Sequence, residues 1–499
     1  MELQFQKNIL PCLQPVTWEV QNLEQTQEVR LTDGMPDIGS VLGAWGQVLM
    51  RGKEWRGGGM SMTGGVMVWV LYAPEDGSSP QCVEGWIPFT AKWDFPDPKH
   101  DGSILTSCLL RGVDARSISA RKLMVRAGIG VLGQAYVPGE AALYTPGELP
   151  EDVQVLRSSY GLELPREAGE KPFALEESLT LPGSCPKLEK LIRYDLQPEL
   201  IDRKVVAGKV VFRGAALVHI LYQGTDGQLY SWDFEVPFSQ YTELEREYEP
   251  EARAMLYPAV TSLELEPGEE DTLHLKAGLT CQYVICDRTD VEIVEDAYST
   301  ARPITPRMEE LRIPAILDAM TQTLRAEQTV EAEGIRTADV AFYPDFPRQQ
   351  RQDRGVSLTY PGQFQMLCYD AAGNLKSANA RWEGEWDMAA AQDSRVEASA
   401  MPSGRPQVSL TGGSAGLRGD VLAQAVTVQQ QGLPMATGLT LGEMAQPDPA
   451  RPSLILRRPE GSSLWEMAKQ HGSTVAVIQA ANSLQAEPTD DRILLIPVI

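Results

Sequence analysis

Val66-Met67-Val68-Trp69-Val70-Leu71-Tyr72, closed by Asp76-Gly77, is the stretch that decides the fold. Both alternating sets of side chains are apolar: Val66, Val68 and Val70 on one face, Met67, Trp69 and Leu71 on the other. Successive side chains of a strand point to opposite faces, so a strand apolar on both is covered on both sides. Asp-Gly supplies residues that tolerate positive φ, which tight hairpins need. The run from about Val83 to Phe89 then reads as the returning strand.

The same stretch recurs 150 residues later as Ala216 to Tyr222, followed by Asp226-Gly227 and a run from Leu229 to Phe238. Outward from it, Leu31 falls on Leu181, Pro36 on Pro186 and Gly64 on Gly214. After a one-residue slip Pro88-Phe89 meets Pro237-Phe238, and the original offset returns to place Leu123 on Leu273 and Ala127-Gly128 on Ala277-Gly278. Register recovered after a slip points to duplication. A more diverged third copy is suggested by Phe364 to Tyr369 followed by Asp370 and Gly373, with Asp420 to Gln429 as an alternating run that could close it. A period near 150 is too long for a solenoid, so tandem domains are expected.

Turn residues gather at Val137 to Pro150, at Tyr298 to Pro306, and at Gln446-Pro447-Asp448-Pro449-Ala450-Arg451-Pro452. The expected organisation is therefore β repeat 1 at 1–145, β repeat 2 at 146–298, diverged β repeat 3 at 299–445, a Pro-rich linker at 446–452 and a small module at 453–499. The fold class is mainly β: three tandem antiparallel β-sandwich or barrel-like repeats followed by a small βααβ domain. Met308 to Glu327 is the one other stretch with a helical aspect. A Pro-rich tether favours an extended, semi-rigid spacer that would hold the module away from the body.

The chain has 499 residues, 43% hydrophobic and 22% charged, which is globular and long enough for three or four domains. Its formal charge of −24 disfavours nucleic acid and anionic lipid, whose binding depends on Lys and Arg. The acidic clusters Glu243, Glu245, Glu247, Glu249 and Glu251, then Glu264 to Asp271, read as solvated edges and loops or as a docking surface for a basic partner. Met1 to Leu10 lacks a basic start followed by an apolar run, and no stretch nears the roughly 18 apolar residues of a membrane span, so a cytosolic chain is expected. Seven scattered cysteines make no disulfide framework, and Cys281 and Cys286 read as core thiols.

In the last segment, Leu454-Ile455-Leu456 and Ile493 to Pro497 are strand-like and flank two short helices. Ser462 or Ser463 can cap the first helix and Gly472 can end it. Leu464, Met467 and Ala468 stand at i, i+3 and i+4, as do Val475 and Ile478 on the second helix. Trp465 suits either core packing or a part-exposed contact. This strand-helix-helix-strand order resembles the LysM domain, a binding module. The resemblance implies a shallow groove formed by Gly461, Ser462, Ser463, Leu464 and Trp465 with Asn482, Ser483, Leu484 and the end near Pro497. It implies N-acetylglucosamine-containing glycan as one ligand class, although Ser462 stands where Asp is usual.

Repeated β domains followed by one LysM resemble the SipL and SpoVID-like spore-coat morphogenetic proteins. Leu31-Thr32-Asp33-Gly34-Met35-Pro36-Asp37-Ile38, the Gly64 to Tyr72 strand and Val210 to Tyr222 carry that resemblance. It implies a cytosolic mother-cell scaffold at the forespore surface, whose LysM grips the polymerising basement-layer ATPase, conventionally SpoIVA, rather than cell wall. A peptidoglycan- or chitin-binding protein is the alternative.

Catalytic signals are thin. Gly412-Gly413-Ser414-Ala415-Gly416 fits G-x-S-x-G, but a nucleophile elbow needs a strand before it and a helix after, and Leu417 to Asp420 offers no helix. Histidines 100, 219, 274 and 471 are dispersed, with His219 and His274 on expected strands and hydrogen-bonded within their domain. Gly57-Gly58-Gly59 lacks the Lys-Ser/Thr of a phosphate loop. The expectation is no catalytic residue, no metal and no cofactor.

Overall fold

The computed structural model describes residues 1–95, 102–269, 271–331, 334–446, 449–459, 461–488 and 492–499; His100, Glu270 and residues 447 and 448 of the expected linker lie outside these. The chain is mainly β, with two short helices. A short β1 (Glu2–Gln4) precedes three successive units. Unit 1 holds β2 (Gln6–Arg30), β3 (Ile38–Arg56), β4 (Gly59–Pro74), β5 (Gln81–Asp94), β6 (Ser103–Ser119) and β7 (Lys122–Thr145). Unit 2 holds β8 (Val153–Thr180), β9 (Leu188–Val206), β10 (Lys209–Gly224), β11 (Leu229–Glu243), β12 (Arg253–Pro267) and β13 (Thr272–Ser299). Unit 3 holds β14 (Ile304–Glu331), β15 (Gly334–Pro344), β16 (Arg348–Gln352), β17 (Gly355–Asp370), β18 (Leu375–Ala389), β19 (Arg395–Thr411) and β20 (Ser414–Leu441). The last segment gives β21 (Leu454–Arg457), α1 (Leu464–His471), α2 (Val475–Asn482) and β22 (Leu494–Pro497).

Each unit is built from two antiparallel sheets, and the outer sheets of units 2 and 3 are joined into one by the Ile316–Glu163 pairing of β14 with β8. The middle strands form a meander, β3-β4-β5 and β9-β10-β11, with β15 and β16 sharing one edge of β17 and β18 on the other. The first strand pairs with the last and the last with the one before it, giving β2-β7-β6, β8-β13-β12 and β14-β20-β19. In unit 1 the two sheets share one core: Val66, Val68 and Val70 of β4 lie with Leu123, Val125 and Ala127 of β7, all buried. Tyr72 ties this sheet to the loop before β3 by donating to the Pro36 carbonyl at 2.9 Å, and Tyr222 does the same to Pro186 at 3.1 Å.

The outer strands of each unit outrun its sandwich, and this joins the units. β13 starts in the core of unit 2 with Leu273 and Leu275, then carries Val291 and Ile293 into a cluster with Cys12 and Ala141 of unit 1 and Leu311 and Ile313 of unit 3. A second shared cluster gathers Leu105 and Tyr136, Tyr257 and Val284, and Ile316 and Val426, again from all three units. A third gathers Leu71, Leu221 and Leu367, three residues at matching register positions. The units thus meet one another and bury one another's apolar surface.

Met308 to Glu327 is strand, not helix. It lies in β14 and pairs with β20 through nearly its full length. Leu311, Ile313 and Ala315 face inward alternately, and Pro314 has no N–H for a helix interior. The small module also departs from the expected outward tether. Tyr298, at the end of β13, packs with Leu464, Met467, Ala468 and Ile478 in the module's core, and its hydroxyl donates to the Ser473 carbonyl at 2.9 Å. A core of about 50 residues is marginal alone, and an aromatic lent by the body enlarges it.

Candidate functional site

The terminal module is built as its sequence dictates. Ser463 caps α1, accepting from the Glu466 N–H, while Glu466 reaches back to the Ser463 N–H at 2.8 Å, a reciprocal capping box. Gly461 and Gly472 take positive φ at the two ends of α1, and Ser483 does so after α2. Asn482 clamps β22 from the side, donating to Leu495 O at 2.6 Å and accepting from Leu495 N–H at 2.8 Å. Pro497 lies opposite Leu454, and the Leu484 N–H donates to Gln479 O.

Two features of the expected groove come only from the fold. Glu487, in the loop after α2, accepts the Leu464 N–H with both carboxylate oxygens, at 3.0 and 3.2 Å, so a backbone donor at the mouth of the groove is already engaged. Trp465 is half-buried at the joint with unit 2: its ring meets Tyr298 edge-on at 4.7 Å, and its Nε1 donates to Asp296 at 2.9 Å. Lys469, one turn on, bridges to the same carboxylate at 2.6 Å. Burial opposes ionisation of Asp296, but Lys469 and Trp465 outweigh it and hold the carboxyl below its ordinary range. The α1 face carrying Trp465 and Lys469 is therefore turned to the body.

The second candidate region, which the sequence reading did not anticipate, is a cavity of about 600 Å³ where the three units meet. Its walls are chiefly the inner edge strands β3 and β6, β9 and β12, and β15 and β19. Edge strands carry unpaired backbone groups that must be covered. Here the three sandwiches turn them toward one another. Apolar Val48, Met50, Val260, Phe342 and Met401 line it beside a compact group of charges.

That charge group sits where equivalent positions of the three units differ. Gly43, Arg193 and Asp339 hold one register position, opposite Leu71, Leu221 and Leu367. Arg193, 2% exposed, makes two bonds to Asp339 at 3.0 and 3.1 Å and one to Asp195 at 2.8 Å, and its guanidinium lies 5.2 Å from the Trp45 ring centre. Trp69, His219 and Gln365 hold a second position, opposite Trp45, Asp195 and Ala341. His219 is bracketed by Asp233 at Nδ1, 2.7 Å, and Asp339 at Nε2, 2.9 Å. Its partners thus span units 2 and 3, not unit 2 alone as expected. A neutral imidazole has one N–H, so two carboxylate partners call for the doubly protonated ring. Burial and Arg193 work against that charge; the hydrogen bonds that the ring donates to Asp233 and Asp339 prevail and raise its pKa. Burial likewise opposes ionisation of Asp339, yet Arg193 and His219 hold it far below the carboxylate range. Arg405 completes the group on Asp195 at 2.5 Å.

Chemically, this is a self-neutralising lock. An imidazole with both nitrogens on carboxylates offers no lone pair to a nucleophile. Ser414 lies elsewhere, at the β19–β20 hairpin, where Gly412 and Gly413 take positive φ and its hydroxyl donates to Thr411 O. His274 contacts the Ser178 hydroxyl at 3.2 Å. The cysteines are unpaired; burial pushes Cys281 up to about 12, and Cys286 rises likewise. Among the described residues no group of three or more His, Cys, Asp or Glu is placed to hold a metal ion. The charge lock escapes sequence reading because its partners are 120 and 146 positions apart. The one signal was a histidine standing, 150 positions on, where β4 has Trp69.

A family model described as SipL, SPOCS domain, matches residues 187–267. These run from the start of β9 to the end of β12, including Arg193, Asp195, His219 and Asp233. The match supports a SipL-like protein with a sporulation-related role. No curated protein and no solved structure matches the chain significantly. No helix among the described residues is long and apolar enough to cross a membrane.

Proposed function

We propose that this chain is a non-enzymatic scaffold of spore coat or envelope assembly, working in the mother cell at the forespore surface. In this reading the three β units form one body, and the terminal βααβ segment is a LysM-type module that captures a basement-layer morphogenetic ATPase, SpoIVA-like. The observation that carries it is the SPOCS match at 187–267 in a chain whose terminal module is seated on unit 2 through Tyr298, Trp465 and Lys469. A fixed module presents one face in a defined orientation, which suits assembly on a polymer.

Glycan binding through the groove is the second reading, favoured by the capped α1 and the Asn482 clamp. The Leu464 N–H already given to Glu487 weighs against it. Co-precipitation of the ATPase by the full chain and by a chain lacking residues 446–499 tests the proposal. Capture should be lost on deletion, and the full chain should show little affinity for chitin oligomers or peptidoglycan. Undiminished capture by the shortened chain would refute it.

A further inference from the structure

Each meander ends in an edge strand, β5, β11 or β18, and two of the three are blunted. In β5, Pro88 has no N–H to offer a further strand. Gln21 of β2 also accepts from the Lys92 N–H at 3.4 Å and donates to the Lys92 carbonyl. In β11 the proline is Pro237. Pro88 stands opposite Gly65 and Pro237 opposite Ala215, the same position counted back from Leu71 and Leu221. The position counted back from Leu367 is Pro361, and opposite it β18 has Glu383. The N–H that β5 and β11 lack is therefore present in unit 3. A proline in a strand paired on one side turns its nitrogen away from the ladder, so the Glu383 N–H points outward. By alternation so do the backbone groups of Asn379, Arg381, Glu385 and Asp387.

β18 carries no proline, keeps register with β17 throughout, and among the described residues nothing bonds its outer edge. Leu375 packs against the cluster of Leu71, Leu221 and Leu367, so the open edge begins at Ser377. Ser377, Asn379, Arg381, Glu383, Glu385 and Asp387 are exposed, while Trp382, Trp386 and Met388 face the core. A long unpaired edge is a template for another strand. The charges say which strand. Two antiparallel copies of β18 related by a two-fold axis pair symmetrically about one residue. Centring on Arg381 or Glu383 sets that charge against itself, and centring on Gly384 sets Glu383 against Glu385. Centring on Trp382 instead sets Arg381 opposite Glu383 of the second copy, once on each side of the axis, with Asn379 opposite Glu385. Glu383 also meets Arg348 at 3.5 Å, an exposed pair that adds a second cation beside the same carboxylate. In this register outward-pointing residues face one another, so each such pair exchanges two backbone hydrogen bonds.

We propose that β18 is a self-association edge: two copies of this chain pair antiparallel through it, centred on Trp382, and join their unit 3 sheets into one. The pairing uses up the edge, so assembly closes at the dimer. The inference goes beyond the scaffold reading and does not depend on what the terminal module captures. Sedimentation velocity of the full chain over a concentration series tests it, and the parent should be a dimer in equilibrium with monomer. Glu383→Pro places there the residue of β5 and β11, removes one outward N–H per copy, and should leave a monomer. Arg381→Glu sets carboxylates opposite each other on both sides of the axis and should weaken the dimer roughly tenfold, more at low salt. Asn379→Lys faces Glu385 of the second copy and should tighten it. All three side chains are exposed, so an unchanged circular dichroism spectrum is expected to show each chain folded. A parent that stays monomeric at every concentration would overturn the proposal, as would a dimer that neither Glu383→Pro nor Arg381→Glu weakens. A dimer lost on removal of residues 446–499 but kept by Glu383→Pro would assign association to the terminal module and also overturn it.

Discussion

Asp339 is the residue on which units 2 and 3 turn. It is 1% exposed and accepts from both Arg193 and His219. Breaking a buried pair leaves an uncompensated charge, so Asp339→Asn should cost roughly 3 kcal/mol in urea denaturation. The exposed Arg213–Asp202 pair, 2.7 Å apart, is a useful contrast, and Asp202→Asn should leave stability unchanged within error. His219 adds a pH dependence. Its folded pKa is raised above the ordinary 6.5, so its stabilisation is complete below that value and is lost as pH climbs through the elevated one. The stability difference between the parent and His219→Gln should therefore shrink as pH rises above about 6.5. A difference that stays constant to alkaline pH would mean that the ring is held neutral.

At the scale of elements, the β4 and β10 strands were legible because their own side chains specify them: runs of β-branched or bulky residues closed by Asp-Gly, β4 apolar on both faces. β14 was not, since its residues are set by β20 across the ladder rather than by a local pattern, and Ile316, Met320 and Leu324, at i, i+4 and i+8, imitate a helical stripe. The helices were legible for the same local reason, α1 through caps at Ser463 and Gly472 and α2 through the spacing of Val475 and Ile478. Their seat on β13 was not, because Asp296 and Tyr298 lie some 170 residues earlier. Removing that seat is testable. Trp465→Ala deletes the edge-on contact with Tyr298 and the bond to Asp296, and should raise protease cleavage within 446–452 and amide exchange in α1, with the body's melting unchanged. Equal protection in the variant would show that the joint is held otherwise.

For the whole molecule, the shared clusters mean that no unit owns all of its own core. Leu164, Val291 and Ile293 of unit 2 face Ile313 and Met435 of unit 3 and Ala141 of unit 1. Residues 146–298 expressed alone should expose that surface, bind a hydrophobic dye and aggregate, while residues 1–445 should melt in one cooperative calorimetric transition. Three separate transitions would show independent beads. The expectation of a module held away from the body thus gives way to a module docked on it, and the body has a charged cavity where its inner edges meet.

What the sequence determined by itself was local and periodic: strands from alternation, turns from Asp-Gly, helices from caps. Each is written within a few residues. The apolar clusters shared by the three units, the Arg193–Asp339–His219 lock and the docked module were decided only by tertiary structure. They arise where equivalent positions have diverged, and complementarity between distant side chains leaves no periodic trace in a single chain.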